Sequence, residues 1–394
     1  MRTKKIWYTY FRKRIRSAKN ENLYRSLPLF DTFQPGYLIR NGKRCLNLCA
    51  NDYLGLAADS ASQEEGRILA EILPAGSGAS RLVTGNLVIH QELEKLLAEW
   101  KRSESALVFP SGYQTNVGVI SCLAGRGDAI FSDKWNHASI VDGCLLSGAA
   151  FYRYHHADLD ELAGLLKSKG GRKNLIITDG VFSMDGDIAP LEGLSQLARE
   201  SGALLLVDDA HGTGVLGPDG SGSLAHQGID WQDHILIMGT LSKAIGAQGG
   251  FICGSKTAIE YLVNYCRAFI YSTGISPWLA GVAHSNISRI RSDSSLIERL
   301  RTANQTLREA LRDYGIPVPD SPAPILPILL GDSRRALRCS KALMAGGIVA
   351  AAIRPPTVPE GSSRIRLSLC AAHALPDLVK AARTLAKFIQ SNPD

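Results

Sequence analysis

None of the eight cysteines (Cys45, Cys49, Cys122, Cys144, Cys253, Cys266, Cys339, Cys370) forms a C-x-x-C pair. That removes the spacing used by zinc and dithiol redox sites. Several lie in strongly apolar runs, as the buried reduced thiols of a cytoplasmic protein do, so neither a metal nor a disulfide framework is expected. An unbroken apolar span is also missing. The charge-free stretches Ser105–Gly125 and Ala268–Ser288 are interrupted by Pro110, Gly112, Gln114 and Asn116 in the first and by Gly274, Pro277 and His284 in the second. Neither reads as a membrane span. Only six uncharged residues separate Lys5 from Arg12, too few for a signal-peptide core. The 38 glycines follow no period of three and no longer repeat, which argues against fibrous and solenoid architectures.

What is present is a chain of 394 residues, 45% hydrophobic and 21% charged, enough for large buried cores. The formal net charge of +7 sits at one end: residues 1–25 hold nine Lys/Arg against one Glu, leaving the rest near neutral. A basic arm with Trp7, Tyr8, Tyr10 and Phe11 could touch nucleic acid or an anionic surface. The neutrality of the body argues instead for an arm lying on the protein or on a second subunit.

From about 46 to 285, short apolar runs ending in Gly, Asp or Ser alternate with helical patterns. This is the rhythm of an α/β protein with a doubly wound, mostly parallel sheet. Leu175-Ile176-Ile177 leads into Thr178-Asp179, Leu204 to Val207 into Asp208-Asp209, and Ile235 to Met238 into Gly239-Thr240. Leu191–Ser201 carries helical spacing between the first two, so the stretch predicts a βαβ unit. Such sheets gather ligands at the carboxyl ends of their strands. From 286 to 394 a smaller α+β domain is expected, with helices over 295–314, 334–345 and 375–391 and strands over 348–353 and 365–369. Residues 1–45 form an N-terminal arm.

Lys243 stands in a polar loop directly after one of the buried runs. Most lone lysines are solvated, but burial would favour the neutral amine that a Schiff base with an aldehyde cofactor requires. Asp208 follows four aliphatic residues and needs a cationic partner if buried, and His211 comes three positions later. A protonated pyridine nitrogen is such a partner, although a strand-end Asp also serves as a helix cap or ribose ligand. Ser111-Gly112-Tyr113 before the pattern Val117, Ile120, Leu123 offers a helix start at which a phosphate could sit, helped by the hydroxyls of Thr240 and Ser242. It is equally ordinary capping chemistry.

Seven separated motifs agree with one family. Asn51 to Leu56, Gly76 to Arg81, His90 with Glu92 and Glu94, Gly180 to Asp187, Asp208 to Gly214, Lys243, and Ile353 to Pro359 together resemble the α-oxoamine synthases over roughly residues 25–390. The resemblance implies a fold-type-I pyridoxal phosphate transferase, acting as a homodimer with its active site at the subunit interface. It places the cofactor Schiff base on Lys243, the pyridinium partner on Asp208, and contacts to the 3′-oxygen on Ser183 and His211. His137 would stack on the ring and donate to a developing oxyanion. Gly112, Tyr113 and Thr240 would hold the phosphate, with Ser272 and Thr273 reaching across from the other subunit. Arg354 would pair with the amino-acid carboxylate, and Thr357 and Arg25 would contact substrate.

Among family activities, Gly212-Thr213-Gly214 and the Ile353–Pro359 run resemble the member that joins L-alanine to a pimeloyl thioester, on coenzyme A or a carrier protein, in biotin biosynthesis. Glycine C-acetyltransferase, 5-aminolevulinate synthase and serine palmitoyltransferase share the cofactor set and stay open at this point. So does a non-catalytic binding protein of the same fold.

Overall fold

The computed structural model describes residues 2–392, with side chains from residue 5 onward. Its centre is a seven-stranded sheet made from β1 (Ser105–Phe109), β2 (Ala129–Asp133), β3 (Ala150–Tyr154), β4 (Asn174–Asp179), β5 (Leu204–Asp208), β6 (Ile235–Thr240) and β7 (Gly250–Gly254). The spatial order is β1-β7-β6-β5-β4-β2-β3. All pairings are parallel except those of β7, which runs antiparallel to both β1 and β6.

Near-continuous apolar runs are what such a sheet demands, because alternate side chains enter two separate cores. Phe131, Ile176, Leu205, Val207, Ile237 and Phe251 point into one. Ile130, Ile177, Leu206, Leu236, Met238 and Ile252 point into the other. The expected βαβ unit is present: the helix Leu191–Ser201 joins β4 to β5, which pair from Leu175↔Leu204 to Asp179↔Asp208. That helix stops at Gly202, whose φ of 63° suits a residue without a β-carbon. The parallel strands end along one edge, bringing Asp133, Asp179, Asp208 and Thr240 to the same side of the sheet.

A three-stranded antiparallel sheet (Ile325–Gly331, Ser363–Ser368, Ala351–Ile353) packs with the helices Ser295–Asp313, Ser333–Ala345 and Leu375–Ser391. Two expected boundaries fall inside single elements. The helix Pro277–Ser292 runs through 285/286, and the strand Lys43–Asn47 runs through 45/46. Lys43–Asn47 also pairs in parallel with Ile348–Val349, so the segment after the arm's helix joins the C-terminal unit. Pairing between residues about three hundred positions apart leaves no local mark in composition. In the helix Arg2–Asn20 residues 5–16 are exposed, with Trp7, Tyr10 and Phe11 in mutual ring contact. All eight cysteines are free, six buried and two half-buried. No helix among the described residues is long and apolar enough to cross a membrane.

Candidate active site

The ends of β4, β5 and β6 contribute Asp179, Asp208 and Thr240 to a common cavity. Asp208 closes β5, where burial of the three preceding aliphatic residues carries its carboxylate below the surface. Its Oδ1 accepts the Ala210 N–H at 3.0 Å and its Oδ2 accepts Asn116 Nδ2 at 2.7 Å. One strand over, Asp179 accepts the His137 N–H at 3.0 Å. Burial, reinforced by the charge of Asp208, raises the Asp179 carboxyl well above the usual range.

Lys243 leaves β6 in a tight turn held by Leu241 N to Gly249 O (3.0 Å) and Gly246 N to Lys243 O (2.9 Å). Its Nζ lies 2.9 Å from His211 Nε2. Burial pulls the ammonium down to about 8; Asp208 and Asp179 oppose the shift and Arg366 adds to it. A lysine so placed is a neutral nucleophile within reach of physiological pH. His211 is buried, with Tyr53 Oη 2.6 Å from Nδ1, and burial followed by the charges of Lys243, Arg366 and His137 keeps the ring neutral. His137 caps the helix Ala138–Ser147: its Nδ1 accepts the Ser139 N–H at 3.3 Å and lies 2.8 Å from Ser139 Oγ.

The eight residues expected around the cofactor, Gly112, Tyr113, His137, Ser183, Asp208, His211, Thr240 and Lys243, all line one cavity of about 250 Å³. The chemistry of this donor set fits pyridoxal phosphate. Asp208 offers the carboxylate for a pyridinium, Lys243 the amine, and the first N–H groups of the helix Gly112–Leu123 lack intrahelical partners and can receive a phosphate. A β-carbon at Gly112 would come within 3.1 Å of Met238 Cε and 3.5 Å of Thr240 Cβ, so a side chain there would fill the cradle. Asn116 Oδ1, in the same cavity, is a buried acceptor without a partner.

Some expected contacts take a different form. The Thr240 hydroxyl donates to Gly249 O at 2.8 Å and Ser242 Oγ lies 3.3 Å from the same oxygen, so both protons serve the lysine turn. Ser272 Oγ receives Gln114 Nε2 at 3.1 Å, near the start of the helix Gly112–Leu123 in its own chain. Arg354, Arg25 and Thr357 stand apart from the cavity lining. Arg354 donates to Asn22 O, keeps a buried Nε without a partner, and feels the charge of Arg25. Thr357 and Arg25 are exposed.

Four residues carry weight that sequence reading did not assign: Asn116, Asp179, Tyr53 and Arg366. Arg366 is buried in the strand Ser363–Ser368 and donates to Ser183 O at 2.5 Å and to Asn51 Oδ1 at 3.2 Å. The signal was the alternation Arg364, Arg366 against Ile365, Leu367, which looks like a solvated strand face. Here that face meets the 183–187 loop instead, and Arg364 pairs with Asp185.

Comparison with known proteins agrees with this geometry. The model of the class I and II aminotransferases matches residues 43–385. The 8-amino-7-oxononanoate synthase of Marinobacter nauticus is 45% identical over 380 residues, 96% of this chain and 95% of that protein. The serine palmitoyltransferase of S. paucimobilis, solved with bound PLP and myriocin, superposes with a TM-score of 0.90 at 28% identity, covering 97% of each chain. The 8-amino-7-oxononanoate synthase of Francisella tularensis superposes with a TM-score of 0.76 at 26% identity, covering 88% of this chain and 98% of that one. With a lysine amine, a strand-end aspartate and a helix N-terminus converging on one cavity, the chain belongs to the class I and II aminotransferase family of fold-type-I pyridoxal phosphate enzymes, and within it to the α-oxoamine synthases.

Proposed function

We propose that the protein condenses L-alanine with a pimeloyl thioester, on coenzyme A or a carrier protein, to give 8-amino-7-oxononanoate, carbon dioxide and the free thiol. The observation that carries this reading is the half-buried Lys243 amine, 2.9 Å from a neutral His211 and close enough to Asp208 to feel its charge. Curated relatives named 8-amino-7-oxononanoate synthase, one of them 45% identical over nearly the whole chain, support this choice of product.

Pyridoxal phosphate bound at Lys243 supplies an electron sink that makes both loss of the α-proton and loss of the carboxylate accessible. The chain does the rest. Asp208, fixed by Asn116 and the Ala210 N–H, would keep the cofactor's ring nitrogen protonated. Displaced from the cofactor by the amine of alanine, the Lys243 Nζ would remove the α-proton, and its lowered basicity keeps it available as a free amine near neutral pH. The α-carbon then bonds to the thioester carbonyl while His137 donates to the developing oxyanion. The thiolate leaves, carbon dioxide follows, and Lys243 returns a proton to the same carbon. Arg354, which donates to Asn22 O outside the cavity lining, would exchange that carbonyl for the amino-acid carboxylate and hold it through its fork of donors until that group departs. A homodimer is part of this reading.

The test is a screen of alanine, glycine and serine against pimeloyl, acetyl and palmitoyl thioesters, with products weighed by mass spectrometry. Alanine with the pimeloyl thioester should dominate, and Arg354→Lys should raise the alanine KM about 10-fold or more without altering cofactor absorbance. Faster turnover of glycine with acetyl-CoA, or of serine with palmitoyl-CoA, would replace this reading by another activity of the family.

A further inference from the structure

Tyr53, His211 and Lys243 form one line from hydroxyl to imidazole to amine. Tyr53 is fully buried with its oxygen 2.6 Å from His211 Nδ1, and His211 Nε2 is 2.9 Å from Lys243 Nζ. A neutral imidazole carries one hydrogen, so it donates at one end of this line and accepts at the other.

Arg366 decides which end. Its guanidinium donates to Ser183 O (2.5 Å), Ser368 Oγ (2.9 Å) and Asn51 Oδ1 (3.2 Å from both Nη atoms), and it also faces the Tyr53 hydroxyl. A guanidinium only donates. The Tyr53 oxygen therefore receives on that side, and its own hydrogen goes elsewhere. Two acceptors are within reach. Asn51 Oδ1 is 3.3 Å away and already taken by Arg366, whereas His211 Nδ1 is at 2.6 Å and has no other partner among the described hydrogen bonds. With Nδ1 accepting, the imidazole hydrogen sits on Nε2 and points at Lys243, which must answer with a lone pair.

We propose that Tyr53, polarised by Arg366, is a positioning residue that sets the Nε2–H tautomer of His211 and thereby presents Lys243 to its aldehyde partner as the neutral amine. The charges around the line are balanced finely enough for one hydrogen to matter. Asp208 and Asp179 face Lys243 and favour the ammonium, while Arg366 disfavours it; Lys243, Arg366 and His137 face His211 and disfavour the imidazolium. The inference rests on Lys243 as the cofactor-anchoring amine.

The test uses the full chain labelled with ¹⁵N-histidine, with and without pyridoxal phosphate. NMR of wild type should show His211 as the Nε2–H tautomer, with the signal assigned by its loss in His211→Gln; an Nδ1–H tautomer overturns the proposal with no substitution at Tyr53 needed. In Tyr53→Phe the two tautomers should mix. The rate at which the cofactor-free chain captures pyridoxal phosphate should rise with pH through about 8 in wild type. In Tyr53→Phe that midpoint should move up by roughly half a unit or more, with the same plateau at high pH. An unmoved midpoint overturns the proposal, because a hydroxyl needed only for packing would leave it in place. Neither measurement depends on turnover of alanine, so failure of the proposed reaction is read separately. A borohydride-trapped adduct found away from Lys243 removes the reading on which the inference rests.

Discussion

Asn116 reaches out of the helix Gly112–Leu123 to donate its amide to Asp208 Oδ2 at 2.7 Å, and to Ser139 Oγ at 2.9 Å. One side chain thereby ties the helix whose N-terminus can seat a phosphate to the carboxylate that can hold a pyridinium. Both ends of a bound cofactor would then be referenced to the same helix, which fixes the spacing between its two anchoring groups.

Asn116→Leu keeps the volume and removes the donor. A hydrogen bond to a charged group contributes about 1.5–3 kcal/mol, so cofactor affinity should fall roughly 10-fold or more. Titration of the visible band of bound pyridoxal phosphate measures it. Unchanged affinity would mean that Asn116 only packs.

Lys243 makes the cofactor-free chain more stable as pH rises. Its folded pKa, about 8, lies below the unfolded value of 10.5, so between these limits the unfolded chain binds more protons. The amine therefore adds nothing unfavourable above 10.5, and its burial costs most below 8. Urea unfolding of wild type and Lys243→Met should show the variant ahead at pH 7, by at most about 3 kcal/mol, and the gap closing by pH 10.5. A gap that is constant with pH would contradict the lowered pKa.

His156 has the opposite sign. It stacks on Trp135 at 3.9 Å and lies between Asp133 (3.2 Å) and Asp187 (2.6 Å). Burial lowers its pKa, but the two carboxylates outweigh this and raise it to about 9. The clamp is fully stabilising below pH 6.5 and is lost as pH climbs through 9. Because Asp133 precedes the His137 turn and Asp187 follows Ser183, His156→Gln should lower the melting temperature at pH 6 and cost progressively less toward pH 9.5. Equal losses at both pH values would rule the clamp out.

Lys101 is saturated: its Nζ donates to Asp209 (2.8 Å), Thr213 Oγ1 (2.7 Å) and Ser221 O (2.6 Å), with both charged side chains 1% exposed. Lys101→Met strands the Asp209 carboxylate beside the loop that carries Asp208 and His211. Such losses cost about 3–5 kcal/mol. Chemical denaturation should register that drop, and Lys101→Met with Asp209→Asn should recover part of it. No recovery would show that the lysine acts through packing alone.

Much of this was legible in the chain. Aliphatic runs ending in Asp208, Asp179 and Thr240 read as buried parallel strands because alternate side chains must enter two cores, and helical spacing at Leu191–Ser201 supplied the crossover. Lys243, Asp208 and His211 were visible because polar groups directly after such runs collect at one sheet edge. The two domain boundaries were not legible, since helix Pro277–Ser292 and the pairing of Lys43–Asn47 with Ile348–Val349 depend on neighbours far along the chain.

Local spacing thus settled which segments are strands and helices and which reactive groups stand at their ends, because burial periodicity is a property of neighbouring residues. Which groups act on one another was decided by packing. Asn116 meets Asp208 across 92 positions, Tyr53 meets His211 across 158 and Arg366 meets Asn51 across 315. A hydrogen bond needs its donor and acceptor within about 3 Å, and only the order of strands and the docking of the C-terminal sheet bring residues so distant in sequence to that separation.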